Sequence, residues 1–199
     1  MNNREKDGFG LFMRFADGCR CYLMDKGVMS EDDNKAIINY FRLGKEPDQN
    51  VVKRVYYVAW PGLEQTSERM GKGMFDPDVI REFYAFDHNT MKVEQGNYIC
   101  IAFPAKILEI KGNQIFVDLS PVTGKFWIES DPDTGTDLKK GDWVIIHRMN
   151  VIEKISAEYA KRVSDHLESV GMKREMRFPR KAIKYLNELK KCQGVDAYA

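Results

Sequence analysis

Cysteine, long apolar runs and an excess of either charge are all scarce in this 199-residue chain. No apolar stretch approaches the ~20 residues that span a bilayer, so a transmembrane helix is not expected. Met1 to Asp7 is too polar for a secretory signal. The four cysteines lack framework spacing, which excludes a disulfide-stapled scaffold and leads us to expect a reducing, cytoplasmic setting. Lys and Arg total 31 against 30 Asp and Glu, a net charge of +1. The local exception is Met172 to Ala199, where eight basic residues face three acidic ones. There is no internal repeat and no low-complexity stretch. What remains, 43% apolar and 31% charged residues, is the composition of an ordinary globular chain with one or two domains.

Residues 1 to about 96 read as helical. Ser30-Glu31-Asp32-Asp33 is a helix start with acidic residues in the first turn, and Ala36, Ile37, Tyr40 and Phe41 share one face before Gly44 stops the helix. Asp48 opens a second helix, with Val51, Val52, Val55, Tyr56 and Ala59 on its stripe and Pro61-Gly62 as its predicted terminator. Asp76-Pro77 opens a third, carrying Val79, Ile80, Phe83 and Tyr84. Cys19-Arg20-Cys21 precedes the first of these and invites a metal reading. A structural zinc site needs four ligands, usually as two close pairs, and the other cysteines, Cys100 and Cys192, stand apart with isolated His88 and His166. Cys19 and Cys21 are therefore read as surface or packed thiols, and Asp87-His88 as a helix cap or dipole contact.

From Cys100 the pattern changes to short strands. Cys100-Ile101-Ala102-Phe103-Pro104-Ala105-Lys106-Ile107 is an apolar, strand-like run whose proline cannot donate to a ladder, which predicts an edge strand or the rim of a barrel, with the sulfur beside an opening. A Lys111-Gly112-Asn113 turn, Gln114 to Leu119, Lys125 to Glu129 and Trp143 to His147 continue an antiparallel barrel or sandwich of about five strands. Ser156 then caps a helix through Ala160, Val163 and Leu167 that Gly171 ends, and Phe178-Pro179 introduces another with a basic face. The expected class is α+β: a helical module over 1–96, an OB-like antiparallel β-barrel over 97–155, and C-terminal helices with a basic tail over 156–199. The residues alone leave Cys100 open between metal ligand, nucleophile and core filler.

The order and spacing of Cys100 to Ile107, Lys111-Gly112-Asn113, Val117-Asp118 and Lys140-Gly141-Asp142-Trp143-Val144-Ile145-Ile146-His147 resemble the HypC/HupF family of nickel-iron hydrogenase maturation chaperones. The resemblance runs from Tyr98 to about Met172. It implies a non-catalytic scaffold with an OB-like barrel and no permanently bound cofactor. Its leading cysteine, here Cys100, would contact a transient iron carrying cyanide and carbon monoxide. The implied partners are a HypD-type maturation protein and the hydrogenase large-subunit precursor, with Pro104 and His147 as support for the site or a partner. Thiolate suits such low-spin iron because both are soft. Two positions depart from the pattern. Familiar members place the cysteine directly after the initiator methionine, whereas Cys100 is internal, and Arg148-Met149 stand where small residues including glycine are usual.

Three other readings accompany this one. An OB module can bind oligonucleotides, yet Asp118, Glu129, Asp131, Asp133, Asp137 and Asp142 leave the barrel segment without a basic stripe, which counts against nucleic acid. A HypC-like chain without iron handling would serve only as a partner-binding module. A cysteine enzyme would use Cys100 as nucleophile and His147 as base, and it requires a third orienting group.

Overall fold

The computed structural model describes residues 2–122, 124–129, 137–148, 150–173 and 176. The expected helix after Phe178 lies outside them. Eight α-helices and five strands follow one another among the described residues. They are α1 (Asn3–Asp17), α2 (Arg20–Asp25), α3 (Glu31–Leu43), α4 (Gln49–Val55), α5 (Trp60–Met70), α6 (Pro77–Glu82) and α7 (His88–Glu94), then β1 (Ala102–Lys111), β2 (Gln114–Leu119), β3 (Lys125–Glu129), β4 (Trp143–His147), β5 (Asn150–Ile155) and α8 (Ala157–Ser169). A π-helical turn over Phe83–Asp87 joins α6 to α7, and a single 3-10 turn over Tyr98–Cys100 precedes β1.

The class is α+β, as expected. All four strand pairings are antiparallel, in the order β3-β2-β1-β4-β5. Among the described residues β3 and β5 do not pair, so the predicted barrel is an open five-stranded sheet. Pro104 corrects a second expectation, for it lies in β1, the central strand. It is tolerated there because β2 pairing begins only at Ala105, opposite Leu119. The Pro104 carbonyl accepts from Ser120 N at 2.9 Å on that same side, so the missing N–H falls where the β2 ladder has already ended.

Local signals placed several helices correctly. Ser30 and Asp33 form a reciprocal capping box on α3, and Gly44 ends that helix in the left-handed region at φ 65°. Ser156 accepts from Tyr159 N at the start of α8, which buries Ala160, Val163 and Leu167. Asp76 caps α6. Pro61-Gly62 does not end a helix. It sits in the first turn of α5, where proline loses no hydrogen bond, and α4 has already stopped at Val55.

The first helix, α1, was not expected. It carries some of the deepest core residues, with Phe12 and Met13 at 0% exposure, and they belong to one apolar cluster with Ile37, Val52, Ile80, Val117, Val144 and Ile152. Each buried side chain of this kind contributes roughly 1.5–3 kcal/mol. Phe15 stacks on Tyr84 of the π-helical turn at 4.1 Å between ring centroids and 3° between planes. Arg81 grips the Glu153 carboxylate through Nε and Nη2 at 3.0 and 2.8 Å, tying α6 to β5 with charge-assisted bonds.

Gly8 on α1 is required by close approach: a Cβ there would stand 1.8 Å from the Phe75 carbonyl oxygen. Because that atom is backbone, Gly8→Ala must push α1 away from the segment before α6. The expected loss is about 3 kcal/mol or more in urea unfolding. A loss below about 1 kcal/mol, the range of an ordinary surface change, would contradict this packing.

Candidate functional site

Three chain segments converge at one end of the sheet. The 3-10 turn delivers Cys100 just before β1, the β4–β5 hairpin turn delivers His147 and Arg148, and the junction of α1 and α2 delivers Gly18 and Cys19. Pairing of Ala102 with His147 sets the first two in register. Asn89 of α7, with 0% exposure, fixes the same point from the helical side. Its Oδ1 accepts from Ala102 N at 2.8 Å, and its Nδ2 donates to Ala102 O at 2.9 Å and Ala85 O at 3.0 Å. Both polar groups of Ala102 are thus satisfied two residues from Cys100.

The Cys100 sulfur is held by Arg148, which sequence reasoning missed. Nη2 and Nε donate to Sγ at 2.8 and 3.2 Å, while Nη1 donates to the Gly18 carbonyl at 3.4 Å and the guanidinium lies 5.4 Å from the centroid of the Tyr22 ring. Arg148 is the one non-glycine residue with positive φ among the described residues, at 48°. An arginine in that region is strained by roughly 1–2 kcal/mol, and the three hydrogen bonds of its side chain offset this. The sulfur does not stand open as expected: Cys100 is 5% exposed, beneath Arg148 and the α1–α2 corner.

Cys19 is a packed thiol, one of the two readings expected of it. Its thiol couples to that of Cys100, and the two shift in opposite senses. The bond from Cys19, against the opposing effect of burial, and then the charge and bonds of Arg148 pull Cys100 well below the ordinary thiol range. Cys19 is pushed well up by that same bond and by burial. Cys19 and Cys100 are far apart in sequence, so no spacing motif announces them; the signal for Arg148 was its replacement of the small residues usual at that turn.

His147 does not reach the sulfur. Its Nδ1 lies 2.9 Å from Phe15 O and its Nε2 lies 3.1 Å from Cys100 O, so it fixes Cys100 through the backbone. Two carbonyls would suit an imidazolium, but burial and then the Arg148 charge outweigh them and push the ring down to about 3. A neutral ring donates to only one of the two. A thiol–imidazole dyad is thus not built, and Arg148, permanently charged, cannot serve as its base. His88 is not the cap expected of it: it is buried, its ring lies 5.7 Å from that of His147, and its Nδ1 has no hydrogen-bond partner among the described residues. Burial lowers it well below the usual histidine range.

Pro104 is buried within β1. Among the described residues no group of three or more His, Cys, Asp or Glu is placed to hold a metal ion, so this corner offers at most the two sulfurs. No described helix is long and apolar enough to cross a membrane.

No curated protein matches the chain. A family match covers residues 99–167 and is to the HupF/HypC family, which suggests a hydrogenase maturation chaperone, an accessory rather than a catalytic role. The segment that carries Cys100, Pro104, His147 and Arg148 is thus the part of the chain that is similar to the HupF/HypC family.

Proposed function

We propose that this chain is a hydrogenase assembly scaffold whose Cys100 thiolate ligates an iron atom carrying cyanide and carbon monoxide. It would receive that cargo with a HypD-type partner and pass it to the large-subunit precursor. The single observation that carries the reading is the Arg148 guanidinium on the Cys100 sulfur. A metal takes the thiolate and not the thiol, and here the anion is held before any metal arrives. When the sulfur turns to iron, the same N–H groups are freed beside it and suit the nitrogen ends of bound cyanide. No permanently bound cofactor is required. Access demands that the α1–α2 corner or the Arg148 side chain withdraw, which a docking partner would bring about.

The test is to produce the tagged full chain together with a HypD-type protein and measure partner and iron in the purified complex. The expected result is retention of both by the native chain and loss of iron, with the partner kept, in Cys100→Ala. Burial of Cys100 favours a second reading, a partner-binding module without iron handling. That reading gains if the partner is retained and iron is equally low in both chains.

A further inference from the structure

We propose that Asn89 is the positioning residue of the Cys100 site: its carboxamide stands in for a strand where β2 has ended and sets the backbone that carries the sulfur. Successive residues of a strand turn their N–H and C=O groups to opposite neighbours, so Ala102 and Pro104 turn theirs the same way. The Pro104 carbonyl reaches Ser120 N just past the end of β2, at 2.9 Å. Two residues earlier, Ala102 turns to that side with no strand opposite it among the described residues, because β2 pairing starts at Ala105 and Leu119. Asn89, on α7 and with 0% exposure, fills the gap. Its Oδ1 accepts from Ala102 N and its Nδ2 donates to Ala102 O, the two bonds that a facing strand residue would make.

The amide has one orientation that satisfies all its contacts. Nδ2 also donates to Ala85 O in the π-helical turn, so two carbonyls select the nitrogen and one N–H selects the oxygen. Asn89 thereby closes the segment 90–101 at its base, and Cys100 sits at the closed end. On that short backbone the Cys100 N–H donates to Asn97 O at 3.2 Å, and its carbonyl lies 3.1 Å from His147 Nε2. Removing the carboxamide leaves the buried N–H and C=O of Ala102 without these partners, and the turn that aims the sulfur loses its tie to α7. Asn89 bonds to backbone alone and acts on the sulfur through it. That the aim of the sulfur serves iron rests on the role proposed for Cys100 above; the clamp itself does not.

The experiment follows backbone amide exchange by NMR in the purified full chain. In the native chain Ala102 N–H is expected to exchange as slowly as Phe103 N–H, which lies in the β1–β4 ladder. Asn89→Ala is expected to speed exchange at Ala102 and Cys100, relative to Val144 within the sheet, by about 10-fold or more. Ile37→Ala, at an equally buried position of α3, controls for lost stability and is expected to leave those ratios as in the native chain. In the complex with the HypD-type partner, Asn89→Ala is expected to shift or broaden the cyanide bands in the infrared, whereas Ile37→Ala keeps them. Rapid exchange of Ala102 in the native chain, a measurement that needs no variant, overturns the proposal. Unchanged ratios in Asn89→Ala, or an equal change in Ile37→Ala, overturn it as well. Faster exchange at Cys100 in Asn89→Ala, with no cyanide bands in any of the chains, supports the clamp and counts only against the metal reading.

Discussion

Between pH 7 and pH 4 the protein will lose about 3 kcal/mol of stability through His147 alone, and more through His88. The unfolded imidazole takes up a proton near pH 6.5, whereas His147 in the fold does not until about 3. Within that window the unfolded state binds more protons, so stability falls as the pH falls. His88, lowered by burial and then by His147, acts in the same direction. Cys100 does too, since an anion favoured by the fold contributes less stability as acid protonates it. Urea unfolding across this range will show a slope of more than two protons, above about 2.7 kcal/mol per pH unit at its steepest. His147→Gln, which keeps one donor for a carbonyl and cannot titrate, will reduce that slope by about one proton. A flat profile from pH 6.5 to 4 would mean that neither imidazole is buried neutral.

Replacing Arg148 by glycine will separate its two roles. Glycine adopts the φ of 48° without strain, so the hairpin turn survives and the backbone contribution to stability rises slightly. The guanidinium, however, is the only fixed cation bonded to the Cys100 sulfur among the described residues. Its removal is expected to weaken the acidity of the thiol, lowering its ionisation constant roughly 10- to 1000-fold. The thiolate absorbance near 240 nm, followed with pH and corrected with Cys100→Ala, measures this directly. Arg148→Lys will restore it only in part, because an ammonium is a point charge and cannot reproduce the paired N–H bonds. If Arg148→Gly leaves the titration unmoved, Arg148 is a packing residue.

What could be read from the sequence was local. The Ser30–Asp33 box, Gly44, the Ser156 cap and the Gly112-Asn113 turn each act within a few residues, and each stands where expected. The α1 helix escaped notice because Gly8 and Gly10 weaken a helical pattern, and the need for Gly8 arises from Phe75, far along the chain. Pro61 was misread because a proline serves equally to end one helix and begin the next. Pro104 was misread because pairing on its β2 side stops one residue short of it. At the site, Cys100 and His147 stood out through their place in a family pattern, while the groups that set the chemistry of Cys100 did not. Cys19 reaches it through tertiary packing of α1 on the sheet, and Arg148 through an unusual turn conformation; neither contact has a short-range signature.

The infrared spectrum of the chain co-produced with its HypD-type partner tests the central claim most directly, since cyanide and carbonyl on iron absorb where protein does not. The account predicts cyanide and carbonyl bands in the native complex, cyanide bands that shift with ¹³C-labelled cyanide, and loss of all of them in Cys100→Ala although the partner still co-purifies. Bands of equal intensity in the native and Cys100→Ala complexes would contradict it.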